Sequence, residues 1–305
     1  MAQRKLFLVT GATGTQGGSV ARALLAAGER TRILTRNPVA AAAEELARRG
    51  AEVAQGDMEE PASLVAAMAG VDGVFSVQRP DATGTDSERR HGFALIKAAR
   101  AAGVHQFVHS SVCQVDQHTS FPRWDERYWS VKYWTDKWEV EQAVRSAGFA
   151  HWTLLRPSFI MENFTYPKAQ FLFPQLRQGM IVTPVRPNAR VQLIAGDDIG
   201  AFARAAFTDP VRFDAKAIEL AGDDLTVGEI ASMLGRVLGK KVHAESVTPQ
   251  EAIEAGIVAT WVRSQEWINE VGYHVDVGQL PPYGVSLTSF GQWVKRYANR
   301  IIIGQ

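Results

Sequence analysis

Nine residues near the N-terminus, Thr10-Gly11-Ala12-Thr13-Gly14-Thr15-Gln16-Gly17-Gly18, constrain this chain more than any other stretch. They follow the apolar run Leu6-Phe7-Leu8-Val9 and lead into Val20, Ala23, Leu24 and Ala27, which are spaced as one face of a helix. The order is strand, glycine turn, helix. Gly11, Gly14 and Gly17 keep a three-residue step, a variant of the G-x-G-x-x-G fingerprint with its first gap one residue wider. Glycine admits positive φ and lets the backbone approach a pyrophosphate closely, while the free N–H groups at the helix start favour its negative charge. No Lys-Ser/Thr pair follows the glycines, which excludes a kinase-like P-loop. Gly11, Thr13, Gly14, Thr15, Gln16 and Gly17 are therefore the expected cradle of a dinucleotide.

From Leu6 to Arg156 short β-branched runs alternate with alanine-rich helical stretches, the pattern of βα units on a parallel sheet. The runs are Leu6–Val9, Thr31–Thr35, Glu52–Gln55, Gly73–Val77, Gln106–Ser110 and Trp152–Leu155. Gly28, Gly50, Gly70, Gly103 and Gly148 each fall just past a helical stretch, where a left-handed cap is wanted. The expected fold class is α/β, a Rossmann-type doubly wound parallel sheet with ligands at the carboxyl ends of its strands. Residues 1–157 are expected to form the cofactor domain. Residues 158–305 are expected to form a smaller α/β substrate region, with the strand near 217–220 a candidate to return to the main sheet. In that region Phe159, Phe164, Phe171 and Phe173 read equally well as pocket wall and as core. Strand Val191–Ala195 and a helix from Asp197 follow. Thr226-Val227-Gly228-Glu229 and Thr248-Pro249-Gln250-Glu251 are capping-box strings that open further helices. Asp223 and Asp224 are expected to serve the turn before the first of these.

Nineteen residues after Gly17, at the end of the second strand, stands Arg36. A site selective for NAD places Asp or Glu there, whereas arginine accommodates a 2′-phosphate, so the expected cofactor is NADP(H). Asp57 and Met58, after the third strand, are expected to flank the adenine, although Asp57 with Glu60 also suits a helix start. Val77 and Gln78, after the fourth strand, complete the expected cofactor lining on that side. The fifth strand ends in His109-Ser110-Ser111, and strand alternation sends the two hydroxyls to opposite faces. Ser111 is the favoured substrate ligand, with Ser110 the alternative.

Residues 128–137 contain Tyr-x-x-x-Lys twice, as Tyr128/Lys132 and Tyr133/Lys137. A lysine one helical turn from a phenol favours the ionised phenol. The two tyrosines cannot share a face if both lie on one helix. Tyr133 and Lys137 continue through Val140, Val144 and Ala147, an apolar stripe expected to pack on the sheet. Lys132 continues through Asp136, Glu139, Gln142 and Ser146, expected to be solvated. Tyr133 and Lys137 are therefore the favoured catalytic pair, with Tyr133 as proton donor and Lys137 favouring the phenolate.

Thirty-three basic and thirty-two acidic residues leave a net charge of +1, so no global field recruits nucleic acid or a membrane surface. The single Cys113 excludes an intrachain disulfide framework and reads as buried filler. With no signal-peptide pattern and no long apolar run, the expected location is the cytoplasm. His105 and His109 share a strand face about 13 Å apart, too far to bind one metal, and no other spacing points to a metal site. No G-x-S-x-G elbow supports a hydrolase. The aromatic stretches Phe121–Trp138 and Phe159–Phe173 point to a largely apolar small-molecule substrate.

The chain resembles the NmrA-like branch of the short-chain dehydrogenase/reductase superfamily. The likeness rests on the glycine turn, Leu34-Thr35-Arg36-Asn37-Pro38, Gln55-Gly56-Asp57 and Leu155–Phe164. It continues through Gly196–Gly200, Glu219–Gly222 and Gly239–Val242. The resemblance implies NADPH-dependent reduction of quinones and other carbonyl or unsaturated compounds. It equally implies an alternative, an NADP(H)-binding regulator without turnover that acts through a protein partner. In the superfamily's active enzymes the tyrosine is acid/base, the lysine also holds the nicotinamide ribose, and a serine lies on the preceding strand. These roles fall on Tyr133, Lys137 and Ser111. Many NmrA-like members lack the tyrosine, so its presence here favours an enzyme. Pro157, Ser158 and Phe159 match the segment that lines the nicotinamide. A homodimer is left open.

Overall fold

The computed structural model describes residues 4–80 and 85–304. Alternating units run β1 (Leu6–Val9), α1 (Thr15–Ala26), β2 (Arg30–Thr35), α2 (Ala41–Arg48), β3 (Glu52–Gln55) and α3 (Pro61–Ala67). They continue as β4 (Gly73–Ser76), α4 (Ser87–Ala101), β5 (Gln106–Ser110), α5 (Val131–Ser146) and β6 (His151–Pro157). The five glycines expected to cap helices all have positive φ, between 70° and 101°.

After β6 come β7 (Phe159–Ile160), α6 (Ala169–Leu172), β8 (Met180–Thr183), β9 (Arg190–Ile194), α7 (Gly196–Thr208) and α8 (Pro210–Phe213). The chain then forms β10 (Lys216–Leu220), β11 (Asp223–Thr226), α9 (Val227–Leu238), β12 (His243–Ser246), α10 (Pro249–Glu254), α11 (Ala259–Glu270) and α12 (Phe290–Tyr297). Both capping boxes are formed, at Thr226/Glu229 and at Thr248/Glu251. Asp223 and Asp224 lie within β11 instead of a turn. There Asp223 Oδ2 accepts the Phe290 N–H at 2.9 Å and Asp224 pairs with Arg190 at 2.8 Å.

Seven strands form one parallel sheet in the order β10-β6-β5-β4-β1-β2-β3. The order reverses between β1 and β4, and the crevice at their carboxyl ends is where such sheets bind ligands. One face buries Phe7, Val9 and Phe75 under α1, α2 and α7, while the other buries Leu8, Val74 and Phe107 under α3, α4 and α5. Short βα units dictate this division, because each crossover covers the face it crosses.

The boundary at Pro157 is crossed twice. α7 packs on α1 closely enough that a Cβ at Gly200 would lie 2.6 Å from the Ser19 carbonyl. β10 pairs in parallel with β6, which covers a sheet edge that would otherwise expose unpaired backbone groups. A separate aromatic cluster joins Phe121 and Trp134 from before Pro157 to Phe164, Phe173, Trp267 and Trp293 from after it. Within it Phe164 and Phe173 stack at 4.8 Å as core, Phe159 is half-buried and Phe171 is exposed.

Candidate active site

The glycine turn is built from close approaches. Gly11 has φ 61°, and a Cβ there would come within 2.8 Å of Val77 Cγ1. A Cβ at Gly17 would lie 2.3 Å from the Thr10 carbonyl oxygen, so only glycine lets α1 start this near β1. Thr10 Oγ1 accepts the Val77 N–H at 3.0 Å and lies 3.1 Å from the Phe75 carbonyl, which joins the ends of β1 and β4. α1 begins after Gly14 with no side-chain cap and no acidic residue in its first turn. Thr13, Thr15 and Gln16 thus sit at a helix start whose positive end is unopposed, which fits a pyrophosphate.

Arg36 is exposed immediately beyond β2, in a turn closed by the Asn37 N–H donating to Thr35 Oγ1 at 3.2 Å. Asp57 is engaged in starting α3. Its Oδ1 accepts the Glu59 N–H and its own N–H donates to Ser63 Oγ, both at 3.0 Å. Met58 is half-buried and packs against the core cluster that includes Leu34 and Leu64.

At the end of β5 the two hydroxyls part as alternation requires. Ser110 Oγ donates to Gln16 Oε1 at 2.5 Å, toward the glycine turn. Ser111 Oγ is buried without a hydrogen-bond partner, as are Ser158 Oγ and Gln78 Oε1. Beneath them Gln78 Nε2 donates to Ser76 Oγ at 2.9 Å, and that oxygen lies 3.1 Å from His109 Nδ1. If Ser76 donates onward, Nδ1 is the acceptor and the ring proton sits on Nε2. His109 is fully buried, and desolvation first and the Lys137 charge second depress its pKa to about 3, so the ring is neutral.

Tyr133 and Lys137 occupy one face of α5, with Lys137 Nζ 5.1 Å from the centre of the Tyr133 ring. The ammonium is bound to Glu88 Oε1 of α4 at 2.6 Å, and both side chains are buried. Lys137 therefore does not favour the phenolate in this geometry. Burial first, then the Glu88 carboxylate and Cys113, push the Tyr133 phenol well above its ordinary range. Lys137 does share a buried stripe with Val140 and Val144, but Asp136, expected to be solvated, is buried and pairs with Lys132 at 2.7 Å. Tyr128 precedes α5, which starts at Val131. Its hydroxyl donates to Glu266 at 2.6 Å, and its ring lies between the guanidinium groups of Arg123 and Arg263.

Pro157 closes β6, and half-buried Phe159 follows on β7. Cys113 is buried and its Sγ lies 2.9 Å from the Arg156 carbonyl. Burial raises its pKa well above the ordinary thiol value, which disfavours a reactive thiolate. Among the described residues no cluster of His, Cys, Asp and Glu could hold a metal, and no helix is long and apolar enough to cross a membrane.

Three site residues escaped the sequence. Glu88 lies 49 residues from Lys137, with no spacing signal to join them. Glu162, in the Met161-Glu162-Asn163-Phe164 string, accepts the Gly196 N–H at 3.0 Å and Trp293 Nε1 at 3.1 Å. Lys168 donates to Thr15 Oγ1 at 2.8 Å across 153 residues.

Residues 3–281 match the NmrA-like family. The chain belongs to this family. It is 33% identical over 261 residues to an NAD(P)H azoreductase of Xenophilus azovorans, covering 82% of this chain and 80% of the relative. It is 35% identical over 245 residues to the (4-alkanoyl-5-oxo-2,5-dihydrofuran-3-yl)methyl phosphate reductase of Streptomyces griseus, covering 79% and 77%. The NmrA-like fold here is similar to that of Citrobacter sp. triphenylmethane reductase complexed with NADP(H), at 24% identity and a TM-score of 0.77, covering 96% and 99%. It is also similar to that of NmrA, a negative transcriptional regulator solved with NAD, at 20% identity and a TM-score of 0.73, covering 96% and 95%.

Proposed function

We propose that this NmrA-like protein is an NADPH-dependent reductase that delivers hydride to a largely apolar carbonyl, quinone or related unsaturated small molecule. Two features on the carboxyl side of the parallel sheet carry the proposal. One is the uncapped start of α1 on the glycine turn, and the other is the pairing of a buried phenol on α5 with an unpartnered serine hydroxyl just past β5. The names of the azoreductase and of the Streptomyces griseus reductase, each more than 30% identical, support the reductase class.

When bound, NADPH supplies the hydride. The chain's own residues manage the rest. Gly11, Thr13, Gly14, Thr15, Gln16 and Gly17 receive the pyrophosphate, Arg36 meets the 2′-phosphate, and Asp57, Met58, Val77 and Gln78 border the adenosine and ribose. Pro157 and Phe159 bound the nicotinamide side. Tyr133, held protonated by its surroundings, donates its proton to the substrate oxygen as negative charge grows there, and then regains one from water. Ser111 uses its free hydroxyl to orient that oxygen. Lys137, neutralised by Glu88, fixes the tilt of the phenol from one turn away and lies on the side of the ribose.

A screen of NADPH oxidation across aldehydes, ketones, imines and quinones tests the proposal. Turnover of at least one class, lost in Tyr133→Phe, is expected. Tight NADPH binding with no turnover would instead favour the regulator reading, for which the shared fold of NmrA is the supporting observation.

A further inference from the structure

Lys168 reaches the glycine turn from the opposite half of the chain. It stands just before α6, and its Nζ donates to Oγ1 of Thr15, the first residue of α1, at 2.8 Å. A threonine hydroxyl brings no negative charge. The acid that acts on the ammonium, Glu162, is already committed to the Gly196 N–H and to Trp293 Nε1. Burial lowers the Lys168 pKa, Glu162 opposes this in part, and Arg300 adds a second positive charge nearby. α1 begins here with no acidic residue in its first turn and no side-chain cap.

Two sources of positive potential therefore converge on one point, and among the described residues the hydrogen-bond acceptor of the ammonium is a neutral hydroxyl. A half-withdrawn ammonium in that position is costly unless an anion completes it. The Gly14 N–H is bonded to the Gly11 carbonyl at 2.9 Å, but the N–H groups of Thr15 and Gln16 in the first turn meet no capping side chain and stay available to such an anion. We infer that Lys168 is a pyrophosphate-binding residue, a cation lent by the substrate region to the cofactor. This rests on the dinucleotide reading of the glycine turn. Its consequence is that the cofactor is gripped on one side by α1 and on the other by the segment between β7 and β8.

Binding titrations with NADPH and with 2′-AMP test the assignment, because 2′-AMP carries the 2′-phosphate and lacks the pyrophosphate. Lys168→Met is expected to weaken NADPH ~10–100-fold and to leave 2′-AMP within about twofold, while Lys168→Arg recovers most of the loss. The wild-type affinity for NADPH should fall as pH rises through the lowered lysine pKa, and Lys168→Met should lose that dependence. Unchanged NADPH affinity in Lys168→Met would overturn the inference. So would equal losses for both ligands, which would mean a general disturbance of the turn. Unchanged NADPH affinity with a raised KM for anionic substrates alone would assign the ammonium to the substrate instead. Failure of the wild-type protein to bind either ligand would refute the dinucleotide reading itself, a result distinct from a loss confined to the variant.

Discussion

Lys137 Nζ and Glu88 Oε1 meet at 2.6 Å between α5 and α4, with both side chains more than nine-tenths buried. Removing one member of such a pair strands the other charge in a poorly solvated site. Glu88→Met is therefore expected to destabilise the protein by about 3–5 kcal/mol. The double variant Glu88→Met/Lys137→Met is expected to recover a large part of that loss, because no uncompensated charge remains. Urea unfolding of wild type, the two single variants and the double variant measures this, and additive losses in the double variant would contradict it.

The same carboxylate bears on Tyr133. With burial and Glu88 both holding the phenol protonated, Tyr133 can give a proton but does not rest as phenolate. Tyr133→Phe is expected to cut kcat by ~10²–10⁴ on an active substrate while the NADPH dissociation constant stays put. Tyr128→Phe should leave turnover near normal, since that hydroxyl is spent on Glu266. Steady-state kinetics of the two variants separate these outcomes, and damage from Tyr128→Phe alone would reverse the assignment.

Arg36 is exposed at the end of β2, within the stretch where a dinucleotide's ribose is read. Arg36→Ala is expected to weaken NADPH ~10–100-fold and to change NADH little. Calorimetric titration with both cofactors decides it, and parallel losses would mean that Arg36 does not read the phosphate.

His109 is neutral in the folded chain, with its pKa depressed from 6.5 to about 3. The unfolded chain takes up the proton first as pH falls. The stability that His109 confers is therefore complete above pH 6.5 and is lost progressively between there and about pH 3. The slope approaches about 1.4 kcal/mol per pH unit for one proton. His109→Asn should flatten the fall in unfolding midpoint between pH 7 and 5 relative to wild type. An unchanged slope would place the acid sensitivity elsewhere.

Much of this was legible in the sequence wherever the signal is local. The run Leu6–Val9 and the glycines at 11, 14 and 17 mark β1 and the start of α1, because a strand end and a helix start have to share those few residues. Thr226 and Thr248 announce their helices through partners three residues on. Arg36 could be placed because its offset from the glycine turn follows from the length of one βα unit. Contacts between distant segments left no such trace. Nothing in the order of residues joins Glu88 to Lys137 or Lys168 to Thr15, since each pairing exists only after two elements have packed. Tyr128 shows the complementary failure: its Tyr-x-x-x-Lys spacing is helical, but the helix begins three residues later. Asp136 likewise sits on what the pattern marks as the wet face, yet it is buried and held by Lys132 one turn earlier on the same helix.

The return of β10 to the edge of the sheet governs how the substrate region can move. Everything from Phe159 to Ala215 is a detour between two strands that lie side by side. The Ser158 N–H is bonded to the Leu220 carbonyl at 3.0 Å at one end of that pair, and the Ala215 N–H to the Trp152 carbonyl at 2.9 Å at the other. The two moorings are about a strand length, roughly 17 Å, apart. A lobe tied to the sheet by a single thread could swing open like a gate, whereas one moored at both ends of a strand pair keeps at most a rocking axis through them. Substrate entry then has to be accommodated inside the detour, by its loops and aromatic side chains, while the cofactor floor stays still. Insertions and deletions in the parts of it away from Phe159, Lys168 and α7 can reshape what is reduced without changing how the dinucleotide is held.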